Sequence, residues 1–398
     1  MKILFEARSI IPAKSGGIEN YLYMLVNAWK NEFPDDKIFI HIPPATESRY
    51  KERIGDVGYL TDNVYRNTYI LTKKFLVVRL FIRLLIKAIP SLENFFYGLR
   101  KKWINQMDKM VDVVVYPFQR EKFVHDPSKT IFVMHDFREW DTDGGNKKVM
   151  KEQIKAIKKS AAVIVSWPYP YKRMLDLFPE VKSKLNEIPF LYDAFTENEL
   201  KNDITKGDFL YYPSANATHK NHENLIIGLS NFNRQNPGSQ LKLICTGPID
   251  LNRQKVLDKL IEKYEARSFI EFLGFVSREK VFKLYNECYA VVTSSKYEAF
   301  SGAVLEAFKF KKPVLASAIP PITEFLEQYN LELTLFDPNY PESIAIAIEE
   351  LTRNYSRHLE MSNIGFNRLK NITPRTTVAK FKEVALSIVL NRKENESI

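Results

Sequence analysis

Short apolar runs alternate with longer segments in which apolar residues recur every three or four positions. Runs rich in Val, Ile, Phe and Tyr are typical of buried strands, and the longer spacing predicts helices. In the first half the predicted strands are residues 3–7, 37–42, 111–116, 130–136, 161–167 and a weaker 185–191. In the second half they are 208–215, 241–247, 269–276, 289–295, 313–319 and 333–337. Such alternation predicts an α/β protein with parallel sheets covered by helices on both faces.

A polar segment, residues 192–206, separates the two series of strands and lacks a strong period. We therefore predict two tandem, Rossmann-like, doubly wound domains, residues 1–191 and 207–375, with a cleft between them. The length of 398 residues fits two domains of ordinary size. Ligands of such sheets bind at the carboxyl ends of the strands, so the loops there are where chemistry is expected.

Cysteine usage and hydropathy predict a cytoplasmic protein. The two cysteines, Cys245 and Cys288, lie in apolar surroundings, which is typical of reduced, buried thiols. No signal-peptide pattern precedes the first predicted strand, and no apolar run approaches the roughly 18 residues that a transmembrane helix needs.

The net charge of +10 is concentrated in residues 71–110, where nine Lys or Arg face two acidic residues. Arg79, Arg83 and Lys87 are four positions apart and share one helical face, with apolar side chains around the rest. One interpretation is an anionic membrane surface bound through residues 73–102 at the inner face of the membrane. The other is a helix packed on its own domain with a solvated basic edge. No nucleic-acid-binding motif accompanies the charge, so nucleic acid is not expected as a partner.

The most informative segment is TSSKYEAFSGAVLEAFKFKKPVLAS, residues 293–317. A predicted strand leads into a loop carrying Glu298, and a helix that starts near Ser301 carries Glu306. The free amides of a helix N-terminus attract anions, while carboxylates accept hydrogen bonds from hydroxyls. The combination suits a ligand with both phosphates and hydroxyls, such as a nucleotide-sugar.

Other candidate residues follow predicted strands. Gly16 and Gly17 come before a helix and would let the backbone approach a ligand closely. Lys220 stands before a helix that starts near residue 221, where an ammonium group can neutralise a diphosphate. His135 ends a predicted strand, and Asp136 would either orient its ring or cap the next segment.

Residues 298–307, EAFSGAVLEA, resemble the E-x7-E segment of retaining glycosyltransferases of the GT-B type. These belong to the large glycogen-synthase-like family 4, the glycosyl transferases group 1, whose usual form is E-G-F-G-x-P-x-L-E-A. Both glutamates, the Phe, the Leu and the last Ala agree, while Ala299, Ser301 and Ala303 replace two glycines and a proline. The resemblance is densest over residues 207–320.

The resemblance implies retaining transfer of a hexose from a nucleotide diphosphate sugar to a saccharide or lipid-linked saccharide, in cell-surface polysaccharide or glycoconjugate synthesis. It implies no metal and no further cofactor. It also implies that the helix 376–391 packs back on the first domain. The catalytic set would be His135, Glu298 and Lys220, and the donor-binding set Gly16, Gly17, Lys220, Phe275, Val276, Ala299, Phe300, Ser301 and Glu306. Within these sets Glu306 would bind the ribose, Lys220 the departing diphosphate and His135 the sugar, with Phe275 and Val276 beside the base.

Rival interpretations stay open. Asp141-Thr142-Asp143 matches the D-x-D pattern by which GT-A glycosyltransferases bind a divalent cation, although a polar turn suits the tandem strand series better. The replaced glycines are compatible with a non-catalytic partner subunit that keeps the fold. An epimerase or glycosyl phosphorylase on the same scaffold is a third alternative. The sequence leaves the donor sugar, base, acceptor and oligomeric state open.

Overall fold

The structure is a computed structural model that describes residues 1–10, 17–43, 46–61, 101–141, 144–189 and 206–396. It contains one parallel sheet of seven strands and another of six, each with helices. The predicted α/β class with two Rossmann-like sheets is thus confirmed. The described chain forms two compact units: residues 1–166, 170–189 and 373–396 in the first, and 167–169 and 206–372 in the second.

The first unit holds the seven-stranded sheet, in the order β3-β2-β1-β4-β5-β6-β7. Its strands are β1 (Lys2–Glu6), β2 (Lys37–Ile42), β3 (Gly58–Thr61), β4 (Val113–Tyr116), β5 (Thr130–Met134), β6 (Ala162–Val165) and β7 (Leu185–Glu187). Strand β3 was not predicted from the sequence. It is a short, half-buried edge strand without a continuous apolar run, and its pairing with β2 defines it.

The helices that flank this sheet are α1 (Gly17–Glu32), α2 (Glu47–Ile54), α3 (Arg138–Asp141), α4 (Lys147–Lys159), α5 (Pro168–Leu177) and α13 (Pro374–Glu396), with a further helical segment at 101–110. Strand β1 is buried on both faces, because Ile3 and Phe5 point into one apolar cluster and Leu4 into the other. The last helix, α13, packs on α1 and contributes Phe381 to the cluster that contains Trp29. The chain therefore returns to the first unit after completing the second.

The second unit holds the six-stranded sheet, in the order β10-β9-β8-β11-β12-β13. Its strands are β8 (Phe209–Pro213), β9 (Lys242–Thr246), β10 (Ile270–Phe272), β11 (Ala290–Thr293), β12 (Val314–Ser317) and β13 (Thr334–Phe336). Its helices are α6 (His222–Gln235), α7 (Leu251–Lys263), α8 (Arg278–Glu287), α9 (Gly302–Lys309), α10 (Pro320–Tyr329), α11 (Pro341–Arg353) and α12 (Tyr355–Leu369). Every strand lies within the range that its apolar run predicts.

The strand order reverses between β1 and β4 in the first sheet, and between β8 and β11 in the second. At such a point the two following helices leave on opposite faces, so the loops at the carboxyl ends diverge and open a crevice. In the second unit these are the loops after Pro213 and after Thr293, which carry Lys220 and Glu298. The sheet topology therefore marks this edge as the place for a ligand.

Some predictions fall on parts of the chain outside the described residues. These include Gly16, the basic face of Arg79, Arg83 and Lys87, and Asp143 of the D-x-D segment. Of the proposed membrane-binding residues 73–102, only 101 and 102 are described, and both are exposed lysines on a helix. Among the described helices none is long and apolar enough to cross a bilayer. Cys245 and Cys288 are buried free thiols, as predicted.

Candidate active site

An ion pair between Lys220 and Glu298 lies at the switch point of the second sheet. Lys220 ends a 3-10 turn after β8, and Glu298 lies in the loop after β11. Both side chains are mostly shielded, with relative exposures of 22% and 13%. Burial opposes the charge of the ammonium group, but Glu298 outweighs it and raises the pKa of Lys220. The lysine is therefore a fixed cation at neutral pH.

Hydrogen bonds tie the two loops together around this pair. Ser295 Oγ donates to Glu298 Oε1 over 2.6 Å, and the Tyr212 hydroxyl donates to the carbonyl of Lys220 over 2.9 Å. Asn221 adopts the left-handed conformation (φ 56°, ψ 42°), and its side-chain amide donates to the carbonyls of Ser294 and residue 338. Asn tolerates this conformation better than most residues. The loop is thus held rigidly enough to present Lys220 in one place.

The loop from Glu298 to Ser301 leads directly into α9. Ser301 is the N-cap residue, with φ −95° and ψ 104°, and its side chain makes no capping hydrogen bond. The first amides of α9 therefore need another acceptor, for which a phosphate is well suited. Among the described residues, the non-glycine positions with positive φ do not include Ala299 or Ser301. Replacing the usual glycines at these positions accordingly costs no backbone strain.

Phe300 fixes this loop from the apolar side. Its ring stacks on Trp167 at a centroid distance of 4.1 Å and an interplanar angle of 20°. It also meets Phe325 edge-on at 4.8 Å. Stacked and edge-on aromatic pairs of this kind add to the stabilisation from burial. The loop thus combines a polar side, which carries Glu298, with an aromatic anchor.

Glu306 lies in the second turn of α9, where the Tyr285 hydroxyl donates a hydrogen bond to its Oε2. Burial raises the pKa of Glu306, while the bond from Tyr285 and the charge of Lys309 act in the opposite direction. The carboxylate therefore depends on its immediate neighbours to stay ionised.

The turns after β9 and β10 continue the same edge of the sheet. The Gly247 amide donates to the carbonyl of Gly274 over 2.8 Å, and both glycines have positive φ, 132° and 68°. A Cβ on Gly247 would also lie 2.9 Å from the backbone nitrogen of Ala215, so only glycine fits there. The turn leaves Phe275 82% exposed and Val276 partly exposed. A flat apolar side chain beside open backbone suits a nucleobase.

In the first unit His135 follows β5 directly. Its Nε2 donates to the carbonyl of Pro117 over 2.7 Å, and its ring meets Tyr21 edge-on at 4.7 Å. Burial lowers its pKa, so the imidazole is neutral. Asp136 Oδ1 accepts a hydrogen bond from the backbone N–H of Arg138 and so caps the next helix, while its charge raises the pKa of His135. Gly17 begins α1.

The D-x-D segment begins with Asp141, the last residue of α3. Its Oδ1 accepts hydrogen bonds from Arg173 Nε and Nη2 at 2.9 and 2.7 Å. This carboxylate is thus already neutralised by an arginine, which fits the interpretation as a polar turn.

A second cluster of charged residues lies at the carboxyl edge of the first sheet. Glu6, His41 and His125 are fully or almost fully buried, and each ring donates a hydrogen bond of 2.8 Å to Glu6 Oε2. His125 Nδ1 bonds Asp108 Oδ1 over 2.6 Å. Burial alone would lower the pKa of His125, but Asp108 and Glu6 raise it to about 9. The cluster is therefore an imidazolium held between two carboxylates.

The same atoms of Glu6, His41 and His125 lie within 4.8 Å of one another, a spacing that could accommodate a metal ion. The contacts to Glu6 are ordinary hydrogen-bond lengths, and His125 uses both ring nitrogens. A metal would first have to displace the proton of His125, because only neutral imidazole is a ligand. The geometry thus favours a proton-filled network.

Sequence reasoning missed Tyr285, Ser295 and Tyr212, which hold the candidate residues in place. Tyr285 and Tyr212 lie outside the candidate segments singled out above, and Ser295 lies in the segment 293–317 without a predicted role. Tyr285 reads as an ordinary residue of a helix that precedes a strand, and its contact with Glu306 spans 21 positions. The pairing of β8 with β11 brings Tyr212 next to Ser295. Tyr285 on α8 reaches Glu306 on α9 in the folded protein.

The second half of the chain matches a known protein family. Residues 195–368 match the sequence model of the family described as glycosyl transferases group 1. An uncharacterised glycosyltransferase of Methanocaldococcus jannaschii is 29% identical over 114 residues, which is 29% of this chain and 28% of that protein. The alignment thus spans less than a third of that relative's length.

Solved structures match nearly the whole chain. HepE from Anabaena, in complex with UDP and glucose, has a TM-score of 0.69 at 16% identity and covers 97% of this chain and 100% of its own. Sucrose-phosphate synthase from Thermosynechococcus elongatus has a TM-score of 0.63 at 15% identity, with 100% and 99% covered. TarM from S. aureus, in complex with UDP and α-GlcNAc-glycerol, has a TM-score of 0.71 at 12% identity, with 96% and 99% covered.

These likenesses show a shared fold, and the family match covers residues 195–368, a little under half of the chain. The second unit is thus similar to the glycosyl transferases group 1, in a chain whose two-sheet α/β fold is that of solved glycosyltransferases.

Proposed function

We propose that this protein transfers a hexosyl group from a nucleotide diphosphate sugar to a saccharide or lipid-linked saccharide, with retention of anomeric configuration. The observation that carries the proposal is the Lys220–Glu298 pair beside the uncapped start of α9, at the switch point of a group 1 domain. Cation, carboxylate and free amides are the groups that a nucleotide diphosphate sugar requires. The cell-surface role is part of the same proposal.

In the proposed mechanism the ammonium group of Lys220 stabilises the diphosphate as it leaves. Charge develops on that group in the transition state, so a fixed cation lowers the barrier more than it strengthens ground-state binding. The amides at the start of α9 share the phosphate charge, and Glu298 accepts hydrogen bonds from the sugar. The leaving phosphate itself takes the proton of the acceptor hydroxyl, so that the acceptor attacks on the face from which the phosphate departs.

The remaining candidates bind and orient. We propose that Glu306 accepts hydrogen bonds from the ribose hydroxyls, while Phe275 and Val276 lie against the base. In the first unit Gly16 and Gly17 would approach the donor with their backbone, and the neutral ring of His135 would position the sugar. A neutral imidazole suits this role because it binds hydroxyls without adding a second charge.

The test is a panel of UDP-, GDP-, ADP- and dTDP-sugars, first by thermal shift and then by turnover with saccharide acceptors. A bound donor raises the melting temperature by mass action, which identifies base and sugar before the acceptor is known. The anomeric configuration of the product, determined by NMR, then tests retention. Donor binding without transfer or hydrolysis would instead indicate the non-catalytic subunit. An isomerised sugar or a product formed with inorganic phosphate would indicate an epimerase or a phosphorylase.

We propose that transfer is independent of divalent metal, because Lys220 supplies the charge that a cation supplies in GT-A enzymes. Activity in excess EDTA is expected to match activity in Mg²⁺ or Mn²⁺, measured as nucleotide release at saturating donor. Loss of turnover in EDTA that Mn²⁺ restores would contradict this. That result would favour divalent-cation binding by the D-x-D segment, even though Asp141 pairs with Arg173.

We also propose that the basic segment 73–102 binds the anionic inner face of the cell membrane from the cytoplasm. Replacing Arg79, Arg83 and Lys87 together with Gln is expected to weaken flotation with vesicles of phosphatidylglycerol, since each cation near such a surface contributes about 1 kcal/mol. A matched variant replaces Lys255, Lys259 and Lys263, which are exposed on α7, with Gln and so has the same net charge as the first variant. Equal flotation of the two variants would leave the segment with a structural role only.

A further inference from the structure

We infer that Tyr285 is a positioning residue for Glu306. Its hydroxyl occupies one oxygen of that carboxylate, so that the other is presented to the ribose of the donor. The inference deepens the proposed function and rests on it. Nothing in the E-x7-E motif includes Tyr285, which lies on α8.

The Glu306 carboxylate has one hydrogen-bonded oxygen in the described structure. The Tyr285 hydroxyl donates to Oε2, and among the described residues no other side chain or amide bonds this carboxylate. Oε1 is therefore available to a ligand. A carboxylate oxygen has two lone pairs, so Oε1 can accept from both hydroxyls of a vicinal diol.

The Tyr285 side chain, which donates this hydrogen bond, is held rigidly. Tyr285 is 0% exposed, and its ring stacks on Phe310 at 4.8 Å with an interplanar angle of 5°. Tyr211 meets it edge-on at 4.9 Å and is itself held by a 2.7 Å hydrogen bond to Thr246. Because Phe310 and Tyr211 both pack against the Tyr285 ring, its hydroxyl is held beside Glu306 Oε2. Because packing already orders the Tyr285 side chain, its hydrogen bond orients the Glu306 carboxylate without a further loss of tyrosine side-chain entropy.

The charge of Glu306 also depends on Tyr285. Glu298 forms an ion pair with Lys220, whereas burial raises the pKa of Glu306 and is opposed first by the hydrogen bond from Tyr285 and less by the charge of Lys309. Burial alone favours the protonated acid, and the bond from Tyr285 favours the carboxylate. A protonated Glu306 would lose acceptor capacity toward hydroxyls. Tyr285 therefore both aims the group and keeps it in the form that binds.

The test uses Tyr285→Phe, which removes one oxygen and keeps the ring. Binding of UDP, GDP, ADP and dTDP is measured by calorimetry between pH 5 and 8. At pH 7.5 the variant is expected to bind the preferred nucleotide about tenfold more weakly, which is the usual effect of a hydrogen bond to a charged group. Removing that bond also raises the pKa of Glu306. The loss of affinity on the acid side should therefore begin at a higher pH than in the wild type.

Two controls separate positioning from packing. Tyr211→Phe removes a buried hydroxyl from the same aromatic cluster, but one that bonds Thr246, so its acid limb should match the wild type. Glu306→Gln should remove the contribution of Glu306 to the acid limb, and Tyr285→Phe added to Glu306→Gln should weaken binding by no more than about twofold, because the interacting partner is already gone. Melting temperatures check that each variant folds, and the double variant keeps the test valid if Tyr285→Phe is less stable.

An unchanged acid limb in Tyr285→Phe, or equal shifts in Tyr285→Phe and Tyr211→Phe, would overturn the inference while leaving the proposed function intact. Failure of the wild-type protein to bind UDP, GDP, ADP or dTDP is a different result. It would overturn the proposed function, and the inference with it.

Discussion

Replacing Lys220 with Met is expected to lower kcat by about 100- to 1,000-fold, the usual cost of removing one group that stabilises transition-state charge. Met keeps the length of the side chain and loses the ammonium group. Glu298, only 13% exposed, would then face the diphosphate without its counter-ion, which adds repulsion to the lost attraction. KM for the donor should rise by a smaller factor, because the charge on the leaving group is largest in the transition state. Initial rates of nucleotide release at saturating acceptor measure both constants.

Lys296→Met is the matched control, because Lys296 lies in the facing loop but is exposed. It should leave kcat unchanged. Lys220→Arg should recover part of the loss, since the charge is kept while the shape differs. If Lys220→Met and Lys296→Met have the same kcat, Lys220 does not act on the leaving group and the donor-site assignment must be abandoned.

Replacing Glu6 with Gln is expected to lower the free energy of unfolding by about 3–5 kcal/mol, the cost of removing one partner of a buried ion pair. The amide has nearly the shape of the carboxylate but carries no negative charge, so it no longer attracts the imidazolium of His125. His125 would then keep Asp108 as its single anionic contact within the network. Urea unfolding at pH 7 measures the loss. Glu47→Gln, an exposed helical glutamate of the same unit, should have almost no effect.

The pH dependence of stability gives this prediction a sign. The pKa of His125 is about 9 in the folded protein and near its ordinary value of 6.5 in the unfolded chain. A raised folded pKa stabilises fully below 6.5 and loses that contribution as the pH rises through 9. The wild type should therefore lose stability between pH 6.5 and 9, and Glu6→Gln should lose much less over that interval. Parallel pH profiles for the two proteins would show that the network is not held by an imidazolium.

Much of the fold could be predicted because parallel strands covered on both sides are continuous apolar runs. Twelve of the thirteen strands coincide with such runs, and β3 escaped because an edge strand needs only one partner and half of its burial. The start of α9 after Ser301 was likewise predicted from local residues. These features depend on neighbours along the chain.

Glu298, Glu306 and Lys220 were predicted from sequence because carboxylates and a lysine at strand-to-helix turns carry a chemical signal of their own. Their arrangement was not. That Lys220 pairs with Glu298, 78 positions away, follows from β8 lying next to β11 in the sheet. Asp136 shows the same limit, since both of its proposed roles fitted the sequence and the capping bond from Arg138 is visible only in the structure.

The amino-acid sequence by itself determined the class of fold, the two series of strands and the chemical groups available at their ends. Periodicity and side-chain chemistry are local properties, so they can be read along the chain. Tertiary structure alone decided which groups meet: Tyr285 with Glu306, and His125 with Glu6 and Asp108. The physical reason is that strand order and helix packing bring distant residues together, and the charge and orientation of a buried group depend on the neighbours it meets there.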